Sequence, residues 1–150
     1  MTLSELQQEV YTITKRPDLV AETLLAVRQS TLALHQSDYF WRDLKETGIS
    51  FSSSAYLQEL EYRSILPQFR AIKYLRKSDS AGATGAFFDV ITPEAVLDLY
   101  GTDRTNVCYA AGESIEIKSS TQFQYAILGY YKNPVVTTSG YNSWIALDHP

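Results

Sequence analysis

A chain of 150 residues is the length of one domain, able to bury about 70% of its unfolded surface around a single core. Its one cysteine, Cys108, excludes a disulfide framework and a multi-cysteine metal site, and a formal net charge of −4 argues against gripping a phosphate backbone by bulk attraction. No secretory leader is expected, since no apolar run follows a basic start, and no stretch is apolar enough to span a membrane; synthesis and folding in cytosol follow as the expectation.

Thr2-Leu3-Ser4-Glu5 fits a capping box, and Leu3, Leu6, Val10 and Ile13 then repeat at helical spacing. Lys15-Arg16-Pro17-Asp18 breaks this first helix, with Asp18 placed to cap a second that runs from about Leu19 to His35. Val20, Leu24, Val27, Thr31 and Leu34 share one face of it, widened by Leu25 and Leu32. A short connection predicts an antiparallel helical hairpin. The run Tyr39-Phe40-Trp41 inside Ser37–Asp43 ends the helical part, and is expected to wedge beneath the helices or to form a partner-facing knob.

From Leu44 the pattern turns to strands. Ile49 and Phe51 alternate with Ser, Leu66-Pro67 breaks the run, and Phe69–Leu75 reads as a strand with basic residues interleaved. Residues 78–86 (SDSAGATGA) form a hairpin tip and Phe87–Ile91 the returning strand. Thr92-Pro93-Glu94 opens a short helix expected to reach Tyr100 before Gly101. Val107 and Tyr109, a turn at Ala111-Gly112, then Ile115 and Ile117 make a hairpin; Phe123, Tyr125 and Ile127 continue it. Pro134 confines the next strand to an edge or breaks it, and Trp144–Leu147 closes the chain as a terminal strand completing the sheet. The expected fold is α+β: one domain, residues 1–43 helical and 44–150 mostly β. The helical hairpin packs on an antiparallel sheet or open sandwich carrying one short inserted helix.

The 11 Tyr, 6 Phe and 2 Trp suit a tyrosine-rich sheet first and partner surfaces second. Charge is unevenly placed. Residues 62–77 carry Arg63, Arg70, Lys73, Arg76 and Lys77 and no acid, whereas 78–117 carry seven acids against Arg104 alone. Two solvated faces would account for this, as would complementary edges meeting head-to-tail in a ring.

Catalytic chemistry is sparse. His35 reads as a helix boundary residue and His149 lies at the chain end, so neither Cys108 nor a serine has an evident base. No His/Cys spacing suits zinc, 98–103 lacks the ligand density for calcium, and 80–85 lacks the Lys-Ser/Thr ending of a phosphate loop. Glu59 with Glu61, and Glu113 with Glu116, read as solvated pairs. Tyr62-Arg63 and Lys73-Tyr74-Leu75-Arg76 come nearest to a base-stacking surface, enough for transient DNA contact. No enzyme activity, cofactor, metal or membrane partner is expected.

The closing segment GYYKNPVVTTSGYNSWIALDHP, with Tyr130, Tyr131, Pro134, Trp144, Ile145 and Pro150, resembles the end of the head-to-tail adaptor proteins of tailed bacteriophages, the tail tubular protein A or gatekeeper type. The rest of the chain resembles that family in the same order. TLSELQQEVYTITKRPDL is followed by the aromatic-acid cluster at 38–43, then Leu66-Pro67-x-Phe69-Arg70-x-Ile72. The Val107-Cys108-Tyr109…Gly112…Ile115-Glu116-Ile117 hairpin follows. Family members often continue past the Trp…Pro segment into a further helix, whereas this sequence ends at Pro150.

The resemblance implies a virion protein of the neck, made in the bacterial host cytoplasm. It would form a ring, commonly of twelve identical copies, beneath the portal protein, extend the DNA channel and dock the next tail component. Expected interface residues are Tyr39, Phe40, Trp41, Arg70, Lys73, Arg76, Lys77, Tyr130, Tyr131 and Trp144, with Gly82 and Gly85 on a channel-facing loop. A head-completion or tail-terminator protein is the nearest alternative. A small-molecule-binding or enzymatic α+β domain is the alternative of another class.

Overall fold

The structure, a computed structural model, describes all residues except Met1, Pro67, Ala81, Ala83, 98–100, Thr138, Ser139, Asn142 and 145–150. It divides into two compact units, Met1–Asp43 with Asn133–Pro150, and Leu44–Lys132.

In the first unit, α1 spans Leu3–Thr14 and carries the expected capping box: the Thr2 amide donates to Glu5 Oε2 at 2.6 Å and the Glu5 amide to Thr2 Oγ1 at 3.2 Å. The hydrogen bond from the Thr2 amide holds the Glu5 carboxyl below its ordinary range. Lys15 ends the helix in the left-handed region, its amide donating to the Tyr11 carbonyl. α2 spans Val20–Gln36, and Asp18 does not cap it: its carboxylate accepts from Nε and Nη2 of Arg16 instead, at 2.9 and 2.8 Å. Its buried residues are Thr23, Val27, Thr31 and His35, one every four positions. Leu24 is only half-buried, and Val20, Leu25 and Leu34 are exposed. A 3₁₀ turn at Trp41–Asp43 follows. Far along the chain, β6 (Val136–Thr137) and β7 (Gly140–Tyr141) pair with each other as a separate two-stranded sheet; of the expected terminal strand Trp144–Leu147, residues 145–147 lie outside the described residues.

The second unit is a small closed barrel and corrects the expected open sandwich. Its strands are β1 (Leu44–Glu61), β2 (Phe69–Ser78), β3 (Thr84–Val90), β4 (Val107–Ala111) and β5 (Ser114–Lys132), with the short helix α3 (Tyr62–Ile65) between β1 and β2. The order β1-β5-β2-β3-β4 returns from β4 to β5, closing β5, β2, β3 and β4 into a ring. Closure depends on the length of β5: residues 114–118 pair with β4 and 125–132 with β2, while β1 runs antiparallel along both stretches. β3 and β4 are parallel, at Asp89↔Val107 and Val90↔Cys108.

β5 is not a regular alternation. Ile115, Ile117 and Phe123 are buried at odd positions, but Ala126, Leu128 and Tyr130 at even ones, and the β1–β5 register shifts between these runs. The expected Phe123/Tyr125/Ile127 face therefore splits. Where the ladder opens, side-chain amides replace it: Gln58 Nε2 donates to the Ser53 and Phe123 carbonyls, and Gln124 Nε2 to that of Phe51.

The 107–117 hairpin forms as expected, with Gly112 at φ +62° in its two-residue turn. The inserted helix shrinks to one 3₁₀ turn, Pro93–Val96; Leu97 is already extended and bridges to Asp103. The rest of that expected helix, 98–100, lies outside the described residues. The barrel core includes Leu75, Phe88, Cys108, Ile115, Ile117, Phe123 and Leu128. Burial pushes the Cys108 thiol up to about 12, which leaves it unreactive at neutral pH.

Candidate functional site

The aromatic run after α2 divides by side chain. Phe40 alone behaves as a wedge, half-buried and edge-on to Trp144 at 5.2 Å between centroids. Tyr39 and Trp41 are exposed, Trp41 by 77%, which favours the knob over the wedge for these two. The Arg42 guanidinium lies 5.3 Å from the Trp41 ring and 5.6 Å from the Trp144 ring, a cation between two indoles.

Beneath them lies a polar cluster that the sequence did not reveal. His35 closes the buried stripe of α2, and Asp43 ends the 3₁₀ turn eight residues later. Both Asp43 carboxylate oxygens lie 2.9 Å from His35 Nδ1, and the Trp144 indole N–H donates to Oδ1 at 2.7 Å. Ser143 Oγ lies 2.8 Å from His35 Nε2. The carboxylate accepts from Nδ1, and the Ser143 hydroxyl can complement Nε2 as either donor or acceptor.

Hydroxyl, imidazole and carboxylate thus stand in the order of an acyl-transfer triad. Access separates the two cases. Ser143 is 0% exposed and His35 1%, so no carbonyl carbon reaches Oγ in this form. What the arrangement does is satisfy four buried polar groups and pin the closing segment to the end of α2. Only the four-residue spacing of Thr23, Val27, Thr31 and His35 hinted at it; nothing marks Ser143, 108 positions from His35.

The basic strand divides too. Between Phe69↔Lys132 and Ala71↔Tyr131 one extra residue, Arg70, enters β2; between Ile72↔Tyr130 and Tyr74↔Gly129 the extra residue is Lys73. Both sit at bulges, which re-aim a side chain relative to the ladder. Arg76 is engaged within the chain, its Nη2 2.8 Å from Glu46 Oε1, and Lys77 Nζ donates to Thr121 Oγ1 at 2.7 Å above the Phe88 ring. Tyr130 belongs to the barrel core at 2% exposure and Tyr131 is buried, so neither offers a surface in this fold.

Gly82 stands at the tip between β2 and β3, at φ +84° with its amide donating to the Asp79 carbonyl. Gly85 lies within β3 instead, where a Cβ would come 3.0 Å from that of Lys77. The tip borders an open groove of about 340 Å³ across β5, lined by Glu46, Ser50, Ser78, Asp79 and Tyr125 among others. Among the described residues no cluster of His, Cys, Asp and Glu could hold a metal, and no helix is long and apolar enough to cross a membrane.

No protein-family model matches the chain, and no curated protein matches it.

Proposed function

We propose that this chain is a structural virion protein, a head-to-tail adaptor of a tailed bacteriophage. In this role twelve copies form a ring under the portal protein, extend the DNA channel and dock the next tail component. The observation that carries the proposal is the distribution of exposed apolar side chains. Ile13, Val20, Leu25, Leu34, Tyr39 and Trp41 all point into solvent from the first 43 residues, as many as the whole barrel unit 44–132 exposes, in a chain order that resembles the adaptor family throughout. A surface of that kind is stabilised by being covered, and portal and neighbouring copies are what would cover it. Lys73, exposed at a bulge, suits a lateral contact with the acidic stretch of a neighbour.

The test is to mix the purified chain with its portal and image the product by electron microscopy. A ring of chains seated on the portal is the expected result, and a chain that stays monomeric beside it overturns the proposal. Copy number and position in the image separate an adaptor from a head-completion or tail-terminator protein.

One observation favours a second, enzymatic reading: the Ser143–His35–Asp43 order. Labelling of Ser143 by a fluorophosphonate would support it. Full burial of the hydroxyl predicts no labelling of the folded chain.

A further inference from the structure

The link between β1 and β2 forms a polar notch at the surface of the barrel unit. Tyr62, Arg63, Leu66, Gln68, Phe69 and Arg70 line an open cavity of about 290 Å³. The Tyr62 and Phe69 rings lie against each other, centroids 4.3 Å apart, and with Leu66 supply its apolar side. The rest of the lining is two guanidinium groups and a carboxamide. Two departures from regular backbone bring these groups in. Arg70 enters β2 as the extra residue of a bulge, which re-aims a side chain. Gln68 stands at φ +69°, third in a turn closed by the Phe69 amide donating to the Leu66 carbonyl at 3.2 Å. A positive φ at that position favours glycine, so a glutamine is held there under strain. Glycine would close the same turn but bring no amide.

We infer that the notch binds a phosphate group carried as a monoester or as the free ion. Neither nearby acid lines the cavity. Glu61 accepts from the Ser64 hydroxyl at 3.3 Å, and Glu113 takes one of the five N–H donors of Arg63, at 2.6 Å. The side chains of that pair are 67% and 59% exposed, so the contact is weak and leaves the other donors of Arg63 for a ligand. A carboxylate needs a single guanidinium fork. A phosphate monoester carries about −1.5 to −2 charges at pH 7 and three acceptor oxygens, which matches two arginines and an amide. A phosphodiester, with one charge, is the poorer match. The inference stands apart from the adaptor proposal.

Titration of the isotope-labelled full chain with inorganic phosphate, near neutral pH and at constant ionic strength, is read by amide NMR shifts. Saturable shifts centred on residues 62–70 are expected, with acetate weaker by about tenfold or more. Arg63→Ala and Arg70→Ala should each weaken phosphate by about tenfold or more. Arg63 is two-thirds exposed, so its variant keeps the test open whatever Arg70→Ala does to folding. Gln68→Gly separates binding from structure: relief of the left-handed strain should hold or raise the melting temperature, while phosphate binding weakens. A 5′-phosphorylated oligonucleotide that binds through the same amides more tightly than inorganic phosphate identifies a nucleic-acid end as the source, and equal binding identifies a free phosphorylated compound. Shifts that never saturate, acetate that binds as tightly as phosphate, or affinity undiminished in Arg63→Ala each overturns the inference.

Discussion

Among the described residues, the barrel, Leu44–Lys132, buries sixteen hydrophobic side chains and a single polar one, Ser119; the helical unit buries the hydrophobics Val27 and Val136 beside five polar residues, Thr23, Thr31, His35, Asp43 and Ser143. Six large apolar side chains of that unit face outward, three times its buried hydrophobics, whereas the six that the barrel exposes (Tyr56, Leu57, Ile65, Phe87, Val90 and Leu97) are far outnumbered by its buried ones. The barrel thus draws its stability from transfer of apolar surface out of water, at about 25 cal/mol per Å². The helical unit draws on hydrogen bonds, each worth about 1 kcal/mol net, and holds unused apolar surface for something outside it. One unit keeps most of its large apolar side chains inside; the other leaves more outside than in.

The sharpest way to break this contrast is to delete packing in one unit and polarity in the other. Leu75→Ala removes a fully buried side chain from the barrel and should cost about 2–5 kcal/mol in denaturant unfolding. Next in size is Asp43→Ala, which withdraws the acceptor shared by His35 and Trp144. An orphaned buried donor costs about 1–3 kcal/mol, so a loss on the order of 3 kcal/mol is expected. Trp41 and Trp144 are the only tryptophans and both belong to the helical unit, so indole fluorescence reports this change directly. An Asp43→Ala protein with wild-type stability would mean that the polar cluster fastens nothing.

The same contrast explains what was legible in the sequence. The capping box, the break at Lys15, the 107–117 hairpin and the α+β class all rest on local chemistry and could be read residue by residue. The closed barrel could not, because closure comes from one 19-residue strand whose register with β1 shifts on both sides of Phe123, with its buried parity changing between Phe123 and Ala126. A period-two reading assumes an unbroken ladder, and so it placed Tyr125 and Ile127 with Phe123. The buried cluster was hidden for another reason. A histidine and a serine 108 positions apart carry no joint signal, and Trp144 looked like strand apolarity where its indole N–H is what binds. Arg76 and Lys77 read as free cations, because the partners that occupy them, Glu46 and Thr121, lie on other strands.

Gly129 gives a smaller test within the barrel. In cross-strand order Glu46, Gly129 and Tyr74 stand in a row, and the Tyr74 ring lies where a Cβ on Gly129 would come within 2.5 Å of it. The bare glycine lets Tyr74 cross β5 and donate its hydroxyl to Glu46. Gly129→Ala should cost about 1–3 kcal/mol by overpacking, and most of that cost should vanish in a Tyr74→Ala background. Additive losses would show that the ring is not the obstacle. The Tyr74 hydroxyl, with Arg76, also holds the Glu46 carboxyl below its ordinary range. A depressed carboxyl contributes stability above its unfolded value, near 4.3, and loses it as pH falls through the folded one. Tyr74→Phe should therefore flatten the acid limb of the stability curve.

The smallest effect on stability is the most informative about function. Trp41→Ser and Ile13→Ser replace side chains that are 77% and 81% exposed, so each should change unfolding free energy by no more than about 0.5 kcal/mol. If the outward apolar surface exists to be covered, the same variants should lose most of their binding to the portal, since buried aromatic anchors dominate interface energetics. Trp41 carries the stronger expectation, because the Arg42 guanidinium between the Trp41 and Trp144 rings gives it a fixed place against a partner. Folding and assembly are then measured on the same protein and should separate. A Trp41→Ser chain that folds normally and still joins the portal with unchanged affinity would show that this exposed surface is not the one the partner meets.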